Sequence, residues 1–362
     1  MKMPINSASA QVNALLQQQL DTRRTPGIYY AFFDADRLLH EFTGGKANVK
    51  NGTPVNAQTV FYGYSMTKTF TATAVMQLVE RGKLHLDAPV KNHLPDFVYG
   101  NSILVRHLLA HSAGLPNPLP IGWIHRAEEH AGFDERGFFK AVLQKHPQTR
   151  FAPNEKFAYT NLGYIVLGWL IEQVSGIPYQ QYVEQNILLP LGLSKHLGFA
   201  CQSHWKVATG YQKAFSFGNF LLGFLLDKKQ FMGEKTDGWK SFRSIYLNGA
   251  AYGGLIGMPS GFISFAQSLL KPDGGLLSQQ SKQMMWQENE LNNGKGSGMS
   301  LGWYKGGLYG QPYSCHAGGG GGFYCELRVY PESGLGSAVF TNRSGFSDER
   351  LLDRFDAPFF TK

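Results

Sequence analysis

The sequence predicts a mixed α/β domain made from both ends of the chain around an antiparallel sheet flanked by helices, with a mainly helical domain inserted between them. Three observations carry this. An early helix is followed by two strand-like runs; residues from about 100 to 235 read as helices punctuated by proline and glycine; and from about 248 the texture reverts to short strands with tight turns. The expected boundaries are 1–98 and 248–362 for the α/β domain and 99–247 for the inserted one.

Taken in order, residues 8–21 carry Val12, Leu15, Leu16 and Leu20 at helical spacing. "IYYAFFDADRLLHEFTGGKA" reads as two strands joined through Asp34-Ala35-Asp36. "TVFYGYSMTKTFTATAVMQLVERG" is a helix apolar nearly all round, ended by Gly82, and such a helix belongs in a protein interior. Candidate helices of the insert are "ILVRHLLAHS", "RGFFKAVLQKH", "TNLGYIVLGWLIEQVSG" and "PYQQYVEQNILLPLG". "GGLIGMPSGFISFAQSLL" gives a turn and a helix. "MSLGWYKGG", "YSCHAGG", "FYCELRVYPESG" and "GSAVFTNRSG" give strands, and "FSDERLLDRFDAPFF" a closing helix. The late strands must recruit the early pair to complete one sheet.

The totals bound the function. The chain has 362 residues, 43% of them apolar and 17% charged, which is a folded globular composition. Its net charge of +8 is scattered, with only small pairs such as Arg23-Arg24 and Lys228-Lys229, so nucleic-acid binding is not expected. Three cysteines, Cys201, Cys315 and Cys325, are neither a disulfide framework nor a zinc pattern and read as buried thiols. No metal or organic cofactor is expected. The first twenty residues lack the apolar run of a signal peptide, which predicts a cytoplasmic protein, or a periplasmic or extracellular one if a leader has been removed.

Chemistry concentrates in three places. Ser65 and Lys68 are three apart, so on a helix they share a face and can share a proton. A serine hydroxyl becomes a nucleophile only when a neighbour takes its proton, and lysine can do so when burial lowers its pKa. The plainer alternative is that Ser65 caps the helix while Lys68 snorkels to solvent. Tyr159 and Asn161, two apart before an apolar helix, can face one cleft as proton relay and amide ligand, or serve as core residue and N-cap. Five glycines, Gly318 to Gly322, follow His316-Ala317. Gly318 and Gly319 suit a strand edge offered to a ligand, and the rest suit a turn.

The ordered set Ser-x-x-Lys, Tyr-x-Asn and His-x-Gly resembles the penicillin-recognising serine hydrolases: class C β-lactamases, D-alanyl-D-alanine carboxypeptidases, D-aminopeptidases and β-lactamase-fold esterases. Supporting stretches include "VRHLLAHSAGLP", "FAPNEKFAYTNLGYIVLGWLIEQVSG" and "AYGGLIGMPSGFISFA". The resemblance spans nearly the whole chain and implies a β-lactamase/transpeptidase-like fold with a cleft between its two domains. It implies Ser65 as the acylated nucleophile, Lys68 and Tyr159 as the proton-handling pair, and the amides of Ser65 and Gly319 as the oxyanion hole. Asn161 would hold the substrate amide or the Lys68 ammonium, and His316, Gly318 and Gly319 would line the substrate.

Two departures bear on substrate. Where β-lactamases usually carry lysine and threonine, this chain has His316 and Ala317, which lowers the positive potential available to a substrate carboxylate. Between 212 and 247 the chain is unusually apolar and aromatic, then basic. It reads foremost as a helix in the core of the insert, with an apolar acyl pocket or a peripheral lipid contact as the other readings. The expectation is a carboxylesterase acting on a small ester or amide through a Ser65 acyl-enzyme. The alternatives are a D-stereospecific peptidase, a weak β-lactamase, or a non-catalytic binder of peptide, glycan or lipid. Smaller departures, Ala113 and Asn154 where serine and glycine are more usual, touch loop geometry. Oligomeric state is not legible.

Overall fold

The computed structural model describes residues 5–214, 228–344 and 350–361. Helix α1 (Ile5–Asp21) leads into the hairpin β1 (Gly27–Asp34) and β2 (Leu38–Gly45). Asp34 builds its turn, because its Oδ1 accepts from the amides of Asp36 and Arg37, both at 2.9 Å. Strand β3 (Thr59–Tyr62) delivers the chain to α2 (Thr67–Glu80), which is buried from Thr67 to Leu78 as its apolar girth requires. Gly82, at φ +65°, turns the chain away after it.

The insert contributes α3 (Val105–Leu109), β4 (Ile124–Arg126), α4 (Glu135–Lys145), α5 (Asn161–Ser175) and α6 (Tyr179–Val183). After these come short strands: β5 (Leu197–Gly198), β6 (Lys206–Val207), β7 (Tyr211–Lys213), β8 (Met232–Thr236), β9 (Trp239–Phe242), β10 (Ile245–Leu247) and β11 (Ile256–Gly257). In its described part, 212–247 forms the end of β7, the strands β8 to β10 and a four-residue helix at Lys228–Phe231 rather than one core helix. A short apolar run does not distinguish strand from buried helix, and the aromatic and β-branched residues here favour the strand. The "NFLLGFLL" stretch lies outside the described residues.

Four long strands close the fold: β12 (Tyr304–Leu308), β13 (Gln311–Gly320), β14 (Phe323–Tyr330) and β15 (Leu335–Thr341). They join the first hairpin in one antiparallel sheet, ordered β12-β13-β14-β15-β1-β2. The seam runs from Ile28 opposite Thr341 to Asp34 opposite Leu335. Alternation along β1 sorts its residues onto two faces. Ile28, Tyr30 and Phe32 pack under α1 and the C-terminal helix Leu351–Phe360. Tyr29, Ala31 and Phe33 join the larger core, which includes Phe262 and Phe265 of the helix Pro259–Leu270 and Phe70 of α2. That core runs on through Leu108, Leu167 and Ile187, across the expected boundaries at 98/99 and 247/248. Among the described residues, no helix is long and apolar enough to cross a membrane.

Candidate active site

Between β3 and α2 the chain makes a tight passage. The Gly63 amide bonds to the Leu255 carbonyl at 2.8 Å, Tyr64 takes a left-handed φ of 42°, and residues Tyr64–Met66 form one 3-10 turn. Ser65 does not cap α2: Met66 holds the cap position, and no side-chain bond closes it. Instead the Ser65 Oγ accepts from the Tyr159 hydroxyl at 2.8 Å and from Lys68 Nζ at 3.0 Å. Lys68 does not snorkel either. It is fully buried, and its ammonium donates to the Tyr252 carbonyl at 2.7 Å with the rings of Tyr159, Tyr252 and Tyr164 at 5.0, 5.2 and 5.4 Å. Among the described residues no carboxylate pairs with it, and burial holds its pKa well below the lysine range.

Tyr159 arrives on an extended segment immediately before α5, so the apolar helix behind it anchors the phenol while its hydroxyl reaches Ser65. Asn161 is the first residue of α5, and its amide donates to Asn117 Oδ1 at 3.0 Å. Its side chain caps nothing. Among the described residues its buried Oδ1 has no hydrogen-bond partner, and the hydrogen bonds of Lys68 go to Ser65 and Tyr252 rather than to Asn161.

The third wall is β13. Its pairing with β12 ends at Cys315, leaving that edge of 316–320 free of the neighbouring strand. A Cβ at Gly318 would collide with the Gly63 carbonyl and lie 3.0 Å from the Ser65 amide nitrogen, so glycine is what lets the strand touch the serine turn. Beneath it, Cys325 Sγ bonds to the carbonyls of Gly63 and Gly318 at 3.2 and 3.4 Å. All three cysteines are free, Cys315 and Cys325 buried and Cys201 exposed. His316 is buried next to Tyr304 and Tyr159, with Nδ1 2.8 Å from the Ala317 carbonyl. Burial, and then the nearby Lys68 charge, push its pKa down to about 3, so it is neutral at pH 7.

A cavity of about 290 Å³ opens beside Ser65. Gly319 and Asn161 line it together with Phe231, Phe242, Ile245 and Leu247, and none of its described lining residues is charged. His316 and Gly318 are not among its lining residues: His316 is buried on β13 beside Tyr159 and Tyr304, and Gly318 is packed against the serine turn. Sequence reasoning did not single out Tyr252, whose backbone oxygen receives the ammonium, or His111, whose ring lies 4.4 Å from that of Tyr159. Both fall within supporting stretches, but a carbonyl acceptor has no residue signature. Asn154 stands at φ 61°, a conformation asparagine tolerates. Among the described residues, no cluster of three or more potential ligands is arranged for a metal.

The buried Lys68 and the half-buried Ser65 and Tyr159 meet against a glycine strand, and the fold that carries them is the β-lactamase/transpeptidase-like one. The chain belongs to the Beta-lactamase family, whose model fits residues 12–358. It is 29% identical to penicillin-binding protein 4 of Amycolatopsis lactamdurans over 94% of this chain and 87% of that protein. It is 27% identical to a penicillin-binding protein of Bacillus subtilis over 74% of this chain, and spans only 56% of that longer relative. Esterase EstB of Burkholderia gladioli is 32% identical over 57% of this chain and 55% of its own length. Among solved structures, an octameric penicillin-binding protein homologue from Pyrococcus abyssi superposes with a TM-score of 0.78 at 25% identity, covering 96% of this chain and 76% of that one.

Proposed function

We propose that the protein is a carboxylesterase that cleaves esters of apolar acyl groups through an acyl-enzyme on Ser65. The observation that carries this is the uncharged, largely apolar cavity beside Ser65, backed by a histidine that burial keeps neutral. A carboxylate-bearing peptide or antibiotic would find no fixed cation among the described lining residues, whereas an acyl chain or aromatic ring would shed water there. A relative named as an esterase supports the same reading.

In the proposed reaction Ser65 Oγ attacks the ester carbonyl carbon as its proton passes to the Lys68–Tyr159 pair, whose Nζ and hydroxyl lie 3.0 and 2.8 Å away; burial, which lowers the lysine pKa, equips the amine to accept it. The amides of Ser65 and Gly319 receive the developing oxyanion. On collapse, the C–O bond to the alcohol breaks, Tyr159 gives a proton to the leaving alkoxide, and the proton taken from Ser65 replaces it within the pair. Water then repeats the sequence on the acyl-enzyme and releases the acid. A second reading, amide cleavage, draws on Asn161, whose unpartnered Oδ1 beside the nucleophile suits a substrate N–H.

A fluorophosphonate probe followed by a substrate panel tests this. The probe is expected on Ser65, and kcat/KM for 4-nitrophenyl butyrate should exceed that for a D-alanyl peptide or a chromogenic cephalosporin by about 100-fold or more, as expected when charged groups meet an unpaired apolar wall. Ser65→Ala should remove labelling and turnover while moving Tm by no more than about 3 °C, the effect of one partly buried hydroxyl. Preference for the peptide or the cephalosporin would overturn the esterase reading. Absence of any adduct on folded protein would leave a binding protein.

A further inference from the structure

His111 follows α3 in a left-handed backbone conformation, φ 52°, and is completely buried. Its carbonyl accepts from the Ala158 amide at 2.9 Å, and its imidazole Nδ1 accepts from the Thr160 amide at 3.3 Å. Those two amides flank Tyr159. The ring also packs 4.4 Å from that of Tyr159 and 5.0 Å from that of Tyr164, whose hydroxyl bonds back to the Leu109 carbonyl at 2.9 Å. Accepting at Nδ1 fixes the neutral tautomer with the proton on Nε2. Burial, which holds the imidazole well below its usual pKa, preserves that acceptor at neutral pH.

We propose that His111 is the positioning residue for Tyr159: its carbonyl and its imidazole hold the peptide on both sides of the tyrosine and so set the phenol over Ser65 Oγ. Thr160 and Asn161, at the start of α5, are tied to the Pro116 carbonyl and to Asn117 Oδ1, and the two bonds to His111 are the ones that bracket Tyr159 itself, on the residues either side of it. The backbone conformation narrows which residues can do this. Asparagine tolerates a positive φ and presents a side-chain acceptor; glycine tolerates it and presents none.

This inference rests on Ser65 being the acylated residue, and the test separates the two ideas. His111→Gly and His111→Asn are compared with wild type by the rate of phosphonylation by a fluorophosphonate and by the final number of probes bound per chain. In that step the Ser65 O–P bond forms, the P–F bond breaks, fluoride leaves and the serine proton passes to the Lys68–Tyr159 pair. His111→Gly should slow labelling per labelled site by about 30-fold, the scale of a sub-ångström misplacement, and His111→Asn should return it to within about 3-fold of wild type. The ratio of kcat/KM for an ethyl ester to that for a 4-nitrophenyl ester should also fall about tenfold in His111→Gly, because only the alkoxide needs the proton of Tyr159. This ratio and the per-site rate are independent of the folded fraction. Unchanged values of both with fewer sites labelled, or His111→Asn as slow as His111→Gly, would overturn the proposal. Wild type that labels but hydrolyses no ester would refute the esterase reading and leave the labelling comparison to decide on His111. Wild type that takes no probe would refute both.

Discussion

Lys68 sets the energetic terms at the level of single residues. A buried amine with one carbonyl, one hydroxyl and three aromatic rings around it, and no carboxylate among the described residues, is a group the fold would be more stable without. Replacement by methionine keeps most of the volume and removes the cost, so Lys68→Met should abolish turnover yet unfold at a Tm no lower than wild type at pH 7. The pH dependence has a definite sign. Burial lowers the lysine pKa in the native state, so the unfolded chain binds more protons, and wild-type stability rises with pH up to the unfolded value near 10.5. Urea titrations at pH 7 and pH 10 should therefore show the advantage of Lys68→Met shrinking as pH rises, and a constant or growing advantage would contradict the buried-amine account. The meeting of Ser65 and Lys68 was legible because helical spacing alone puts them on one face. The acceptor at Tyr252 and the brace at His111 were not, since both bonds depend on backbone atoms brought in from residues 184 positions later and 48 positions earlier than Lys68 and Tyr159.

At the scale of elements, the site exists because β13 can approach the serine turn. Gly318 is the contact point, and a methyl group there must displace either the strand or the Gly63 carbonyl. Gly318→Ala is expected to cost about 1–3 kcal/mol of stability and to slow Ser65 labelling by about 100-fold, since the displaced strand carries Gly319 away from the nucleophile. Labelling at the wild-type rate per folded molecule would show that the approach of the strand is immaterial. The same glycine run shows what a sequence can and cannot convey. Gly318 and Gly319 continue the strand while Gly321 and Gly322, at φ +47° and +89°, make the turn, a division that conformational freedom alone suggests. For 212–247 the periodicity was uninformative: Phe242, Ile245 and Leu247 could have belonged to a buried helix, and only pairing of β9 with β8 and of β10 with β4 makes them strand residues facing the cavity.

For the molecule as a whole, the problem is to hold the two chain ends together, because the sheet that supports β13 is completed by β1 and backed by the final helix. The sequence announces this in outline, through strand runs at both ends, but not the means. Arg328 on β14 is fully buried and pairs with Glu326 at 2.8 Å and with Asp353 at 2.6 Å, while Asp356 lies 3.8 Å away. Asp356 in turn accepts from Tyr30 at 2.8 Å, Tyr330 at 2.7 Å and Ser337 at 2.6 Å, and Glu326 accepts from the Leu352 amide at 3.1 Å. One network thereby ties β1, β14, β15 and the C-terminal helix. Arg328→Met leaves two buried carboxylates without their counter-charge and should cost about 3–5 kcal/mol. Burial already raises the pKa of Glu326 and Asp356, with Arg328 opposing it. Once the arginine is gone their native pKa values rise further, so the native state of the variant holds more protons than the unfolded chain, and its deficit should narrow as pH falls from 8 to 5. Adding Glu326→Gln and Asp356→Asn to Arg328→Met should restore most of the loss and flatten that pH dependence. Because the network lies on the far side of the sheet from the cavity, Ser65 labelling per folded molecule should be unchanged in every one of these variants; a labelling rate that tracked the stability loss would mean that the outer helix governs the site directly.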